Sequence, residues 1–144
     1  MTAPARTAPD RVGPLRTSLA SSPWAVPLGV FVLSAVTWFG WFAHKEYVIS
    51  PEGNQSGPYA TWQAVGAVAT LAVLALVAAY LLRPRLVAAC VASGFTTGFA
   101  VEGLRSDESG LWIVGAGLVL VGTFSGAAFL ASTVARRRGG ASHA

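Results

Sequence analysis

The sequence predicts an all-α membrane protein, an antiparallel bundle of four transmembrane helices. Three observations carry the prediction. Four long apolar stretches contain almost no charge. Short polar breaks separate them. Arginines gather on alternate sides of the stretches. Only 11% of the 144 residues are charged, whereas 53% are hydrophobic. A soluble domain carries about a quarter charged residues, and burial in lipid explains the shortfall, because a charge near the bilayer centre costs about 3 kcal/mol or more.

Residues 1–22 hold Arg6, Arg11 and Arg16, with several prolines and hydroxyl residues. They cannot bury enough apolar surface to order themselves and read as a flexible tail. The membrane domain covers residues 23–135. Its first span, residues 24–43, reaches about 30 Å at 1.5 Å per residue, the thickness of the hydrocarbon core. Bulky Trp38, Phe39, Trp41 and Phe42 stand where a signal peptide would have a small-residue cleavage site, so an uncleaved span is expected. Pro27 falls in the first turn, where a missing N–H does no harm.

A loop rich in Pro and Gly, from His44 to Pro58, precedes the second span at residues 59–82. Arg83-Pro84-Arg85 is a tight turn. The third span covers residues 86–104, and Arg105 to Gly110 forms a polar turn. The fourth covers residues 111–135, and Arg136 to Arg138 are expected to stop it before a basic tail, residues 136–144. Period-2 alternation is absent, so the spans are helices rather than barrel strands.

Eight of the ten Lys and Arg residues fall in the two tails and the Arg83/Arg85 turn, and only Lys45 and Arg105 on the other side. The positive-inside rule then places both termini in the cytoplasm of a bacterial cell membrane. Trp38, Trp41, Tyr59, Trp62 and Trp112 are expected to mark the outer interface, Trp24 and Tyr80 the inner one. The net charge of +4 does not indicate nucleic acid, because the charges sit at span ends and form no basic face.

Candidate functional residues are few. Gly94 and Gly98 repeat at a step of four with Glu102, flanked by Ser93 and Thr97, and so share a face of the third span. Gly115, Gly122 and Gly126 share a side of the fourth. Such small-xxx-small patterns let helix backbones approach closely in lipid. The short connecting turn predicts a tight antiparallel pair, with Gly98 level with Gly117 and Gly94 near Val121. A path lined by Ser93, Thr97, Thr123 and Ser125 is the alternative use of the same faces. Glu102 is the one ionisable residue within reach of a span, a candidate for proton or cation coupling or an interfacial acid beside Arg105. Gln63 and Thr70 share a face and are expected to hydrogen-bond across helices.

His44, Lys45, Glu46 and Tyr47 cluster beyond the first span without the nucleophile and partner that catalysis needs. Cys90 stands alone, which excludes an internal disulfide or a multi-cysteine metal site. No enzymatic activity, cofactor or metal is expected.

Known four-span families can be tested on the residues. Small multidrug transporters need an acid deep in the first span, and quinone-linked disulfide reductases need paired cysteines; both features are missing. Gly94-Phe95-Thr96-Thr97-Gly98-Phe99 is faintly similar to the third-span run of bacterial fluoride channels, but their second-span Asn and Arg-bearing first span are absent. With its Gly57-Pro-Tyr-Ala-Thr-Trp-Gln63 and Ser109-Gly-Leu-Trp112 segments, the chain resembles the small uncharacterised four-span integral membrane proteins of actinobacteria. That resemblance implies no activity. The expected function is a non-enzymatic accessory or interaction subunit, working in the lipid bilayer with a membrane-protein partner or further copies of itself. The alternative is a small oligomeric transporter or ion channel using the third and fourth spans.

Overall fold

The computed structural model describes residues 22–43, 59–106 and 110–140. The expected flexible N-terminal tail, the loop that carries the His44 cluster, and the last residues lie outside the described residues. Among the described residues the chain forms four helices: α1 (Ala25–Phe42), α2 (Thr61–Ala78), α3 (Pro84–Ser106) and α4 (Trp112–Gly140). Each is long and apolar enough to cross a membrane, and together they form a four-helix bundle of a multi-pass membrane protein.

Local chemistry sets the helix ends. Pro27 lies in the first turn of α1, before any of its N–H groups would have an intrahelical acceptor; the first bond of that helix runs from the Leu28 N–H to the Trp24 carbonyl (2.9 Å). The Gln63 side chain reaches back from the first turn of α2 and accepts the Ala60 N–H at 2.9 Å, one half of a capping box. After Ala78 the chain tightens, with Tyr80 and Leu81 N–H groups bonding carbonyls three residues back. Pro84 then opens α3 as its first helical residue, a position proline favours. Before α4, Gly110 takes φ +75°, a left-handed conformation glycine adopts at no steric cost.

The helix boundaries depart from the sequence expectation most at two places: α2 stops at Ala78 rather than at residue 82, and α4 runs past residue 135. Arg136, Arg137 and Arg138 do not stop α4, which continues through them to Gly140. Arginine is a good helix former, so three in a row end the apolar stretch without ending the helix.

The core is built mostly of small residues. Ala67, Leu71, Ala75 and Ala78 line one side of α2, and Val87, Ala88, Val91 and Ala92 lie buried on α3. Ala127, Ala131 and Val134 are the buried apolar residues of α4. Small side chains bring backbones together where lipid supplies no hydrophobic drive between helices. Large apolar side chains such as Leu28, Val65, Leu118 and Phe129 are exposed around the outside, as expected of a surface solvated by acyl chains.

The four helices form a rhombus. The central α3 packs most extensively on α4 and then on α1; α2 touches α1 and α4, and only sparingly α3. No contact joins α1 to α4. The tight Arg83-Pro84-Arg85 turn returns the chain antiparallel, yet α2 and α3 lie across the short diagonal of the bundle.

Candidate functional site

The best-built region is the junction of α1 with α3. A Cβ added to Gly94 would collide with the Phe31 carbonyl oxygen and lie 2.9 Å from the Ser34 Cβ. One added to Gly98 would lie 2.5 Å from the Trp38 Cβ. Both glycines therefore serve the approach of α1. The expected closure of the Gly94–Gly98 face on α4 does not occur. The short turn between α3 and α4 sets which residues are level: Gly103 lies against Trp112 and Gly115 against Phe99. It does not set rotation about the helix axis. That rotation is decided by Trp38 and the Phe31 backbone, which leave room for hydrogen alone.

Trp38 is the hub of this junction. Its ring lies 4.4 Å from Phe42, 5.3 Å from Phe95 and 5.1 Å from Phe99, and Tyr59 closes the group at 6.1 Å. Only 6% of Trp38 is exposed, so it is a core residue rather than the interfacial anchor the sequence suggested. Val30, Ser34, Thr37 and Trp38 recur at helical spacing along α1 and all are buried. Trp62, Trp24 and Tyr80, by contrast, are largely exposed.

A second contact fixes α1 to α2. The Trp41 ring covers Gly66, and its indole N–H donates to the Thr70 hydroxyl at 3.1 Å. Thr70 in turn donates to the Gly66 carbonyl at 2.8 Å. The cross-helix bond expected of Thr70 thus exists. The Gln63 side chain accepts the Ala60 N–H at the start of its own helix.

The polar residues of α3 are directed to their own backbone. Ser93 donates to the Ala89 carbonyl at 2.6 Å and Thr97 to the Ser93 carbonyl at 2.7 Å. Both residues are exposed on the outside of the bundle. Ser34, Thr37 and Thr133 repeat the arrangement. A hydroxyl bonded to the carbonyl four residues back needs no water, which suits a span in lipid. Thr96 is the exception: its hydroxyl oxygen is buried and has no hydrogen-bond partner. Glu102 lies in the last turn but one of α3, half-buried, with the Ser106 hydroxyl 3.5 Å from its carboxylate.

The glycines of α4 divide. Gly115 is occupied by Phe99, whereas a Cβ at Gly122 or Gly126 would meet nothing within 4 Å. These two line a groove of 190 Å3 with Val68, Leu71 and Ala72 of α2, and Val91 of α3 forms part of its wall. A second open groove, 470 Å3, runs between α3 and α4, with Ser93 and Ser125 among apolar neighbours. At the far end, Arg138 donates to the Tyr80 carbonyl at 3.2 Å and its guanidinium lies 5.3 Å from the centre of the Tyr80 ring. This clamp between α4 and the α2–α3 turn had no signal in the sequence. Among the described residues, no three His, Cys, Asp or Glu side chains come together as metal ligands.

No family model, curated protein or solved structure matches the chain.

Proposed function

We propose that the chain is a non-enzymatic subunit of a larger assembly in the bacterial cytoplasmic membrane, with both termini in the cytoplasm. The α2–α4 groove receives a helix of its partner. The observation behind this reading is the idle glycine pair, Gly122 and Gly126, exposed on the groove with no atom near either Cβ position. Glycine in a helix interior costs about 1 kcal/mol relative to alanine. In α3 that cost is offset by close packing on α1. At Gly122 and Gly126 of α4 nothing among the described residues offsets it, and a second backbone at that surface would. The helix itself agrees: 11% of an 18-residue apolar stretch of α4 is buried, against 39% of the corresponding stretch of α3.

The test is site-specific photo-crosslinking in cells. A crosslinker at Ala72, on the groove, is expected to give a discrete protein adduct that one at Val36, on the outside of α1, does not. Gly122→Leu or Gly126→Leu fills the groove and abolishes the adduct while the fold survives. Equal adducts at both positions, or an adduct indifferent to Gly122→Leu and Gly126→Leu, defeat the proposal.

A small oligomeric transporter or channel is the second reading. It rests on Ser93 and Ser125 lining the α3–α4 groove. Because Ser93 and Thr97 face outward, further copies would have to close such a path. Flux into liposomes that is lost with Thr97→Val or Glu102→Gln separates it from the first reading.

A further inference from the structure

We propose that the Arg-rich end of the bundle is a binding site for the head group of an anionic phospholipid, assembled from two elements far apart in sequence. Arg83 and Arg85 flank the first residue of α3, and Arg136, Arg137 and Arg138 occupy the last turns of α4. All five are exposed. The Arg138 bond to the Tyr80 carbonyl brings the two groups together, since Tyr80 lies three residues before Arg83. Arg138 has five N–H donors and gives one of its nitrogens to that carbonyl, which leaves donors for a phosphate.

Charge complementarity selects the ligand. Among the described residues the one acid is Glu102, near the opposite end of α3. No described carboxylate neutralises the five guanidiniums. Guanidinium forks match phosphate oxygens in a bidentate way. The N-terminus of α3 is a minor donor, because Pro84 has no N–H and the Leu86 and Val87 N–H groups already bond the Arg83 carbonyl. The side chains therefore supply the site.

Depth selects the source. From Trp112 to Ala135, α4 rises about 36 Å at 1.5 Å per residue, somewhat more than a hydrocarbon core of about 30 Å. Arg136 to Arg138 consequently emerge at the level of lipid phosphates, and the exposed Tyr80 ring beside Arg138 occupies the interface an aromatic side chain prefers. Arg138 acts as a positioning residue, and Arg83, Arg85, Arg136 and Arg137 make the contact. The site is independent of any partner in the α2–α4 groove.

Native mass spectrometry of the full chain in neutral detergent tests it, with phosphatidylglycerol and phosphatidylcholine of equal acyl length supplied together. Phosphatidylglycerol adducts are expected to exceed phosphatidylcholine adducts by about tenfold. The preference shrinks as ionic strength rises, because the contacts are exposed and screened. Arg83→Gln combined with Arg137→Gln brings the two lipids toward parity, and Arg105→Gln, at the opposite end of α3, leaves the preference intact. Parity in the wild type, a preference that salt does not change, or one that survives Arg83→Gln with Arg137→Gln overturns the proposal. Displacement of the lipid by equimolar inorganic phosphate would assign the site to a free anion instead and equally overturn it.

Discussion

Gly98 lies directly beneath Trp38: a methyl group added to the glycine would stand 2.5 Å from the Trp38 Cβ and 2.8 Å from its Cγ. These atoms lie at the root of a buried side chain, so rotation of the ring cannot clear them. The contact joins α1 to α3, two helices that are not consecutive in the chain, and it decides which face of α3 looks inward.

Alanine at Gly98 is therefore expected to destabilise by about 1–3 kcal/mol, the usual range for overpacking. Gly94→Ala should cost at least as much, since the obstacle there is the Phe31 carbonyl, a backbone atom. Gly122→Ala faces open space and should hold or raise stability by up to about 1 kcal/mol through helix propensity. Thermal unfolding of the three variants in one detergent checks the contrast. Equal midpoints would refute the assignment of the Gly94–Gly98 face to α1.

The bond from Trp41 to Thr70 is a single interhelical link with a clear removal. Thr70→Val keeps the shape and deletes the acceptor, and a loss of about 0.5–1 kcal/mol is expected, in the range of interhelical hydrogen bonds in membranes. Thr70→Ser retains the hydroxyl and should retain most of the stability. A Trp41 fluorescence change confined to the valine variant would tie the loss to this bond.

Thr96 predicts a change of the opposite sign. Its hydroxyl oxygen is buried and unpartnered, and such a group carries a desolvation penalty of about 1–3 kcal/mol. Thr96→Val removes the hydroxyl at nearly constant volume, so the unfolding midpoint should stay level or rise. A clear fall would mean that the hydroxyl has a partner in the membrane.

Orientation has its own test. With both termini in the cytoplasm, a reporter that is active only in the periplasm, fused after Ala144, stays silent, and one inserted in the loop before Pro58 is active. The opposite pattern would invert the proposed topology and place the Arg-rich end in the outer leaflet.

Residues differ in how legible they were. Gly103 against Trp112 and Phe99 against Gly115 follow from chain geometry, because a short turn leaves little freedom in which residues are level. Gly94, Gly98, Gly122 and Gly126 look alike in sequence, yet the first two are sealed under α1 and the last two stand open. Their difference depends on the Trp38 ring and the Phe31 carbonyl, which belong to a helix more than fifty residues earlier. The Arg138–Tyr80 clamp spans 58 positions and involves a backbone carbonyl, which no side-chain pattern can reveal.

By itself the sequence determined the number of spans, their approximate limits and the gathering of arginine at one end. Those properties come from transferring each segment between water and lipid, a cost that depends on the segment's own composition. Only the tertiary structure decided which face of each helix meets which neighbour, that Trp38 is core, and that α2 and α3 share a diagonal. The reason is that these helices are apolar all round. In water a polar face would have declared the outside of each helix. In lipid, inside and outside are equally apolar, and steric fit between particular side chains and backbones makes the choice.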